Sequence, residues 1–279
     1  MLCGMTVIYP EYVCNEGLPP APCCENVPPW VPAPHKVGKM HLLNVQLFPE
    51  KGPDLTKYPF NLPLFHQTQR IAFTSPVTFF VGENGTGKST LLKALANKCR
   101  IQIWKDEEGT RFDRSPYEDR LYQFIDIQWA DGPVPGSFFD AEVYRNFALY
   151  VDQWAAADPG LLNYFGGKSL ITQSHGQSLM SFFRARYGIK GLHLLDEPET
   201  ALSPKSQIKL LKLLDKMSRT QAVQFIVATH SPILLACPRA VIFSFDKTPV
   251  SSIFYEDTHH YRIYRDFMTD RKQFLQRPD

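Results

Sequence analysis

Gly82-Glu83-Asn84-Gly85-Thr86-Gly87-Lys88-Ser89 constrains this chain more tightly than any other stretch. Two glycines bracketing four variable residues, followed at once by Lys and Ser, make the pattern of a phosphate-binding loop, which works only between a strand and a helix. The flanks comply. Val77-Thr78-Phe79-Phe80-Val81 is an apolar run that predicts a buried strand, and Thr90 to Asn97 predicts a helix. Glycines let the backbone curl until successive N–H groups face phosphate oxygens, and the helix N-terminus adds its positive dipole end. Gly82, Glu83, Asn84, Gly85, Thr86, Gly87, Lys88, Ser89 and Thr90 are therefore the candidate nucleotide contacts. Lys88 is expected to reach the β- and γ-phosphates and the Ser89 hydroxyl to ligate Mg²⁺.

The second half supplies complementary chemistry. Gly191 to Glu197 reads as a short apolar strand ending in two carboxylates. An acid at the carboxyl end of a parallel strand beside a phosphate loop is placed to hold Mg²⁺, and Asp196 fits that role. Glu197, one residue on, points elsewhere and is the candidate to take a proton from an attacking water. Val223 to Ser231 is another buried strand, ending in His230.

The order of phosphate loop, Ser174-His175-Gly176-Gln177-Ser178, Leu194-Leu195-Asp196-Glu197-Pro198 and Ala228-Thr229-His230-Ser231 resembles the ABC-type ATPase superfamily. That group includes transporter motors, SMC proteins and DNA-repair ATPases. From Met40 to about Leu275 the chain is similar to a family of small bacterial ATPases, through Lys57 to Pro63, Gln173 to Ser178, Leu194 to Glu199 and the tail from Tyr255 to Phe267. The resemblance implies an α/β P-loop NTPase with a mixed β-sheet core flanked by helices and a short helical insert at roughly 136–190. It implies ATP and Mg²⁺ as cofactors and a head-to-tail homodimer closed by ATP. In that dimer Ser174, Gly176 and Gln177 would meet the partner's nucleotide, Glu197 would activate water and His230 would sense the γ-phosphate. His175 stands where the signature motif of transporters has its first glycine, and Ser203 where transporters usually carry aspartate. Gln128, Asp140 and Glu142 are alternatives for a Mg²⁺-sensing residue, and Tyr58, Phe60 and Phe73 for an aromatic against the base.

Residues 1–39 differ in kind. Eight prolines fall between Pro10 and Pro34, so helix or sheet would be hard to sustain and an extended or disordered arm is expected. Its Cys3, Cys14, Cys23 and Cys24 lack the paired spacing of a structural zinc site. The ATPase domain is expected to occupy 40–279, with Arg100–Trp104 and Leu121–Trp129 β-rich, a helix over Ala141–Ala156, a long helix after Pro204 and a polar C-terminal arm. The roughly 85 residues between Ser89 and Ser174 are far too few for an SMC-type coiled coil. No apolar run approaches the ~20 residues of a membrane span, which argues against a channel in the same stretch. Widely separated cysteines in an NTPase point to a reducing cytoplasm.

Net charge is only +2, which favours no polyanion in bulk. Lys205, Lys209, Lys212, Lys216 and Arg219 nevertheless recur at helical spacing, with Ile208, Leu211 and Leu214 expected on the opposite side. A solvated helix face and a DNA-contacting surface are both open readings. His259-His260 is expected to face solvent or a second subunit. The competing roles are a DNA-associated ATPase in repair or defence, a transporter motor with a separate membrane partner, and an ATP-gated protein switch.

Overall fold

The structure is a computed structural model and describes residues 40–104, 115, 117, 119–141, 143–220 and 222–275. The proline-rich arm with its four cysteines, and Glu142, lie outside these residues.

Two sheets form the framework. A three-stranded antiparallel sheet has β1 (Leu42–Leu47) between β2 (Arg70–Ala72) and β4 (Ile125–Trp129). The six-stranded sheet runs β5 (Gly136–Asp140), β6 (Gly191–Asp196), β7 (Val223–Ala228), β3 (Val77–Val81), β8 (Val241–Ser244) and β9 (Ser251–Ile253). Every pairing in it is parallel except β8 with β9. The three central strands β6, β7 and β3 are buried at every position, as expected of parallel strands covered on both faces.

Successive side chains of β3 divide between two cores, because strand side chains alternate. Phe80 joins Leu42, Val45, Phe60, Leu91 and Leu95, beneath α2 (Lys88–Lys98) and the antiparallel sheet. Val77, Phe79 and Val81 join the opposite core. That core takes in α3 (Tyr144–Ala157), α4 (His175–Arg186), α5 (Pro204–Ser218) and α6 (Pro232–Leu235). A short α1 (Pro63–Gln67) precedes β2, and α7 (His259–Thr269) and α8 (Arg271–Leu275) close the described chain.

Several expectations need correction. Within the insert expected over 136–190, Gly136–Asp140 pairs with β6 as a sheet strand, and the α-helices are confined to Tyr144–Ala157 and His175–Arg186. Arg100–Trp104 is irregular rather than β: Arg100 turns the chain out of α2 at a left-handed φ of 57°, and Ile101 packs into the core without joining a ladder. The polar C-terminal arm, for which no element was expected, carries α7, capped by Thr258 accepting from the Tyr261 N–H. On α5, Leu210 and Leu214 face the core, while Ile208 is exposed on the lysine side.

Candidate active site

Parallel pairing brings the carboxyl ends of three strands to one edge. Phe80 pairs with Ala228, and Ala228 with Asp196. The phosphate loop, Glu197 and His230 therefore all leave the sheet together. This edge is where open α/β sheets bind ligands.

The loop enters α2 at Gly87, whose φ of 99° is left-handed. It is the backbone that demands glycine there; a Cβ would also sit tightly, 3.0 and 3.2 Å from the Leu64 and Leu62 side chains. Lys88 is 4% exposed and its Nζ donates to the carbonyls of Gly82 at 2.6 Å and Glu83 at 2.9 Å. Burial pushes its pKa down, against the pull of Glu197, Asp246, Asp196 and Glu83. Among the described residues the hydrogen-bond partners of this ammonium are those two carbonyls.

Ser89 Oγ donates to Asp196 Oδ1 at 2.8 Å. Asp196 is 5% exposed, and burial raises its pKa to about 6 despite Lys93 and the Ser89 hydrogen bond. Lys93 Nζ lies 3.3 Å from Asp140 and 4.0 Å from Asp196. Asp140 is the register partner of Asp196 on β5. Of the three alternatives for a Mg²⁺-sensing residue, only Asp140 is seen at this edge: Gln128 accepts from Asn44 in the antiparallel sheet at 2.6 Å, and Glu142 lies outside the described residues. A hydroxyl and a buried carboxylate 2.8 Å apart form a hard-oxygen pair of the kind Mg²⁺ takes.

Glu197 turns the other way. Its φ of 44° is unusual for a side chain with a Cβ. The Glu197 N–H donates to Ala228 O, and its carbonyl accepts from Thr200 Oγ1. Its Oε1 lies 3.3 Å from His230 Nε2. That contact, more than Lys88 and Lys93, holds the Glu197 pKa below its ordinary value. The His230 N–H donates to Glu199 Oε1, and burial raises the pKa of Glu199. Glu199 thus anchors the backbone of the histidine loop.

The C-terminal helix also reaches this edge. His259 Nδ1 is 3.2 Å from Glu83 Oε1, and His260 Nε2 is 2.9 Å from His230 Nδ1. The expectation that this pair faces solvent or another subunit is corrected for His260, which packs on His230 within the same chain. The sequence signal was Thr258, a helix cap directly before two histidines.

Ser89, Thr90, Lys93, Asp140, Asp196 and Glu197 line a cleft of about 650 Å³, with Tyr58 at its edge. Tyr58 is 37% exposed and its hydroxyl is 2.7 Å from Thr90 Oγ1, whereas Phe60 and Phe73 are core residues. Among the three aromatics only Tyr58 is therefore available to a ligand. Ser174, Gly176 and Gln177 line a different groove, of about 890 Å³, with Lys168, Arg184 and Lys209. Ser174 sits at the N-cap of α4, and its N–H donates to Gln177 Oε1 at 3.2 Å.

Two stretches of the chain match known families. Residues 143–236 match the family described as "AAA domain, putative AbiEii toxin, Type IV TA system", and residues 61–97 match one described as "AAA domain". "Thiamine import ATP-binding protein ThiQ" of Haemophilus influenzae (strain 86-028NP) is 27% identical over 172 residues, covering 54% of this chain and 74% of that protein. The SMC head domain from Thermotoga maritima aligns with a TM-score of 0.38 at 14% identity, over 77% of this chain and 98% of that one. An inward-facing "putative metal-chelate type ABC transporter" aligns with a TM-score of 0.44 at 18% identity, over 81% and 88%.

Proposed function

We propose that this chain, a P-loop ATPase domain of the AAA/ABC type, binds ATP with Mg²⁺ on the Gly82–Ser89 loop and hydrolyses it to ADP and phosphate. The observation that carries the reading is the meeting of Lys88, the Ser89–Asp196 pair and the Glu197–His230 pair at one sheet edge. Bound Mg²⁺ would neutralise phosphate charge at Ser89 and Asp196.

Each residue has a distinct task. Lys88 leaves the carbonyls of Gly82 and Glu83 for the β- and γ-phosphates, which lowers the cost of its burial. Glu197, kept ionised by His230, takes the proton of the attacking water, a contribution of typically ~10²–10⁴ in rate. His230 orients that carboxylate and meets the γ-phosphate. Gly82, Glu83, Asn84, Gly85, Thr86, Gly87 and Thr90 supply the remaining contacts of the loop.

The active species in this reading is a homodimer with two equivalent composite sites. Ser174, Gly176 and Gln177 stand at the N-terminus of the 12-residue α4 beside Lys168, Arg184 and Lys209. That positive groove suits the phosphate tail of a nucleotide held by the second copy. The cellular role in this reading is DNA-associated, in repair or defence: Lys205, Lys209, Lys212 and Lys216 are all exposed along one side of α5. No helix among the described residues is long and apolar enough to cross a membrane. The relatives' import function favours a second reading, a motor subunit serving a separate membrane partner.

Steady-state hydrolysis with two variants tests the chemistry. Lys88→Ala is expected to lose nucleotide binding or turnover. Glu197→Gln is expected to bind ATP and accumulate as a dimer in size-exclusion chromatography. Wild-type turnover in Glu197→Gln would remove Glu197 as the base.

A further inference from the structure

We propose that His260, from the first turn of α7, is a positioning residue for Glu197: its Nε2–H donates to His230 Nδ1 and holds His230 in the tautomer whose Nε2–H faces the Glu197 carboxylate. The catalytic consequence rests on the ATPase reading; the tautomer does not.

The chain of contacts leaves little freedom. His230 Nε2 is buried, and its near neighbour is Glu197 Oε1 at 3.3 Å, a distance at which the geometry falls short of a well-aligned hydrogen bond. An ionised carboxylate offers only lone pairs. A lone pair on Nε2 would repel it, so Nε2 carries the hydrogen. In neutral imidazole the other nitrogen is then an acceptor. His230 Nδ1 faces His260 Nε2 at 2.9 Å, so His260 must donate there. That assigns the free lone pair to His260 Nδ1, which is buried and has no partner among the described residues. The opposite arrangement, with His260 Nε2 accepting, would leave an N–H at that same buried Nδ1. Orphaned buried N–H groups are rarer than unsatisfied acceptors. Burial, and then the neighbouring His230, also lower the pKa of His260, which favours one proton on its ring.

The position of His260 is itself fixed. Thr258 is completely buried, donates to Tyr255 O at 2.7 Å and caps α7 through the Tyr261 N–H. His259 reaches Glu83 of the phosphate loop. The start of α7 is thus tied to both the loop and the histidine that orients the base. Residues 30 positions apart in sequence act as one unit.

Long-range ¹H–¹⁵N correlation spectra of the labelled full chain, without nucleotide and at neutral pH, read the tautomer directly. The wild type is expected to show His230 protonated at Nε2. His260→Phe, which cannot donate, should shift His230 toward a tautomer mixture. His260→Gln, whose amide nitrogen falls near the lost Nε2, should restore it. In ATP turnover, His260→Phe is expected to lower kcat by ~10–100-fold, by analogy with the loss of a partner that orients a metal-ligating histidine, with KM for ATP little changed. His260→Gln should recover most of the rate. A wild-type His230 protonated at Nδ1, or a His260→Phe spectrum identical to wild type, overturns the proposal. So does His260→Phe turnover equal to wild type. If the tautomer responds as described but the wild type hydrolyses no ATP, the positioning stands and the ATPase reading fails.

Discussion

Asp196→Asn should make the metal-free protein more stable while removing its response to Mg²⁺. Asp196 is 5% exposed, and burial, helped by Asp140 and Glu197, raises its pKa from 3.8 to about 6 against Lys93 and Ser89. A raised carboxylate pKa means the folded state holds a proton that the unfolded chain has released. Stability contributed by this group is therefore lost as pH rises from about 4 to about 6, and the full penalty stands above that window. A displacement of about two pH units is worth about 3 kcal/mol. Asparagine has no charge to desolvate and keeps an oxygen for the Ser89 hydroxyl. The pull of Lys93, half-exposed and 4.0 Å away, is already contained in the pKa of about 6, so its loss takes nothing further from the gain. The net gain at neutral pH is about 1–3 kcal/mol, or roughly 2–10 °C in Tm for a domain of this size. Thermal unfolding in a chelator, at steps between about pH 4 and pH 8, measures it. The difference between variant and wild type should be near zero at the acidic end and should plateau above about pH 6. Added Mg²⁺ and ATP should then raise Tm for wild type but not for the variant. A variant less stable than wild type in chelator, or a difference independent of pH, would refute the account of Asp196 as a buried charge awaiting a cation.

His193 gives the opposite pH signature from the same strand as Asp196. Burial lowers its pKa from 6.5 to about 4, while Ser137 Oγ lies 2.8 Å from Nδ1 and Nε2 is 3.0 Å from Ile189 O. Its contribution is complete above about pH 6.5 and lost as pH falls toward 4, about 3 kcal/mol in all; His193→Asn should flatten that acid limb in chemical denaturation, and an unchanged limb would count against it. For the lysine row, ATP turnover is expected to rise with duplex DNA and the rise to fade with salt. Reversing the charge of Lys205, Lys212 and Lys216 together should abolish the stimulation, whereas a rate indifferent to DNA would discard the DNA role. Arg262 and Arg265 of α7 add little to that surface, because Arg262 pairs with Asp257 and Arg265 with Asp266.

What could be read from the sequence was what short segments carry alone. The phosphate loop, the Asp196-Glu197 pair and His230 each end an apolar strand, and local pattern suffices to find them. Strand order is another matter. The sheet inserts β7 between β3 and β6, so His230 emerges beside the phosphate loop while Asp196 reaches Ser89 from one strand further away. Nothing in the run 191–196 announces that neighbour. Asp140 joined the site only because β5 pairs in register with β6, and Ile208 moved to the solvent side because Leu210 and Leu214 set the phase of α5. His260 was the hardest to foresee. A tail rich in Arg, Asp and Tyr reads as solvent-exposed by composition, and most of α7 is exposed. Its start is anchored all the same: the buried cap Thr258 sets the half-buried His260 against His230, while His259 beside it stays exposed and reaches Glu83. Composition describes the whole helix, whereas the part that bears on Glu197 is one turn of it. A polar tail that carries a cap and then a histidine is therefore better read turn by turn, with its cap residue deciding which side chains face inward.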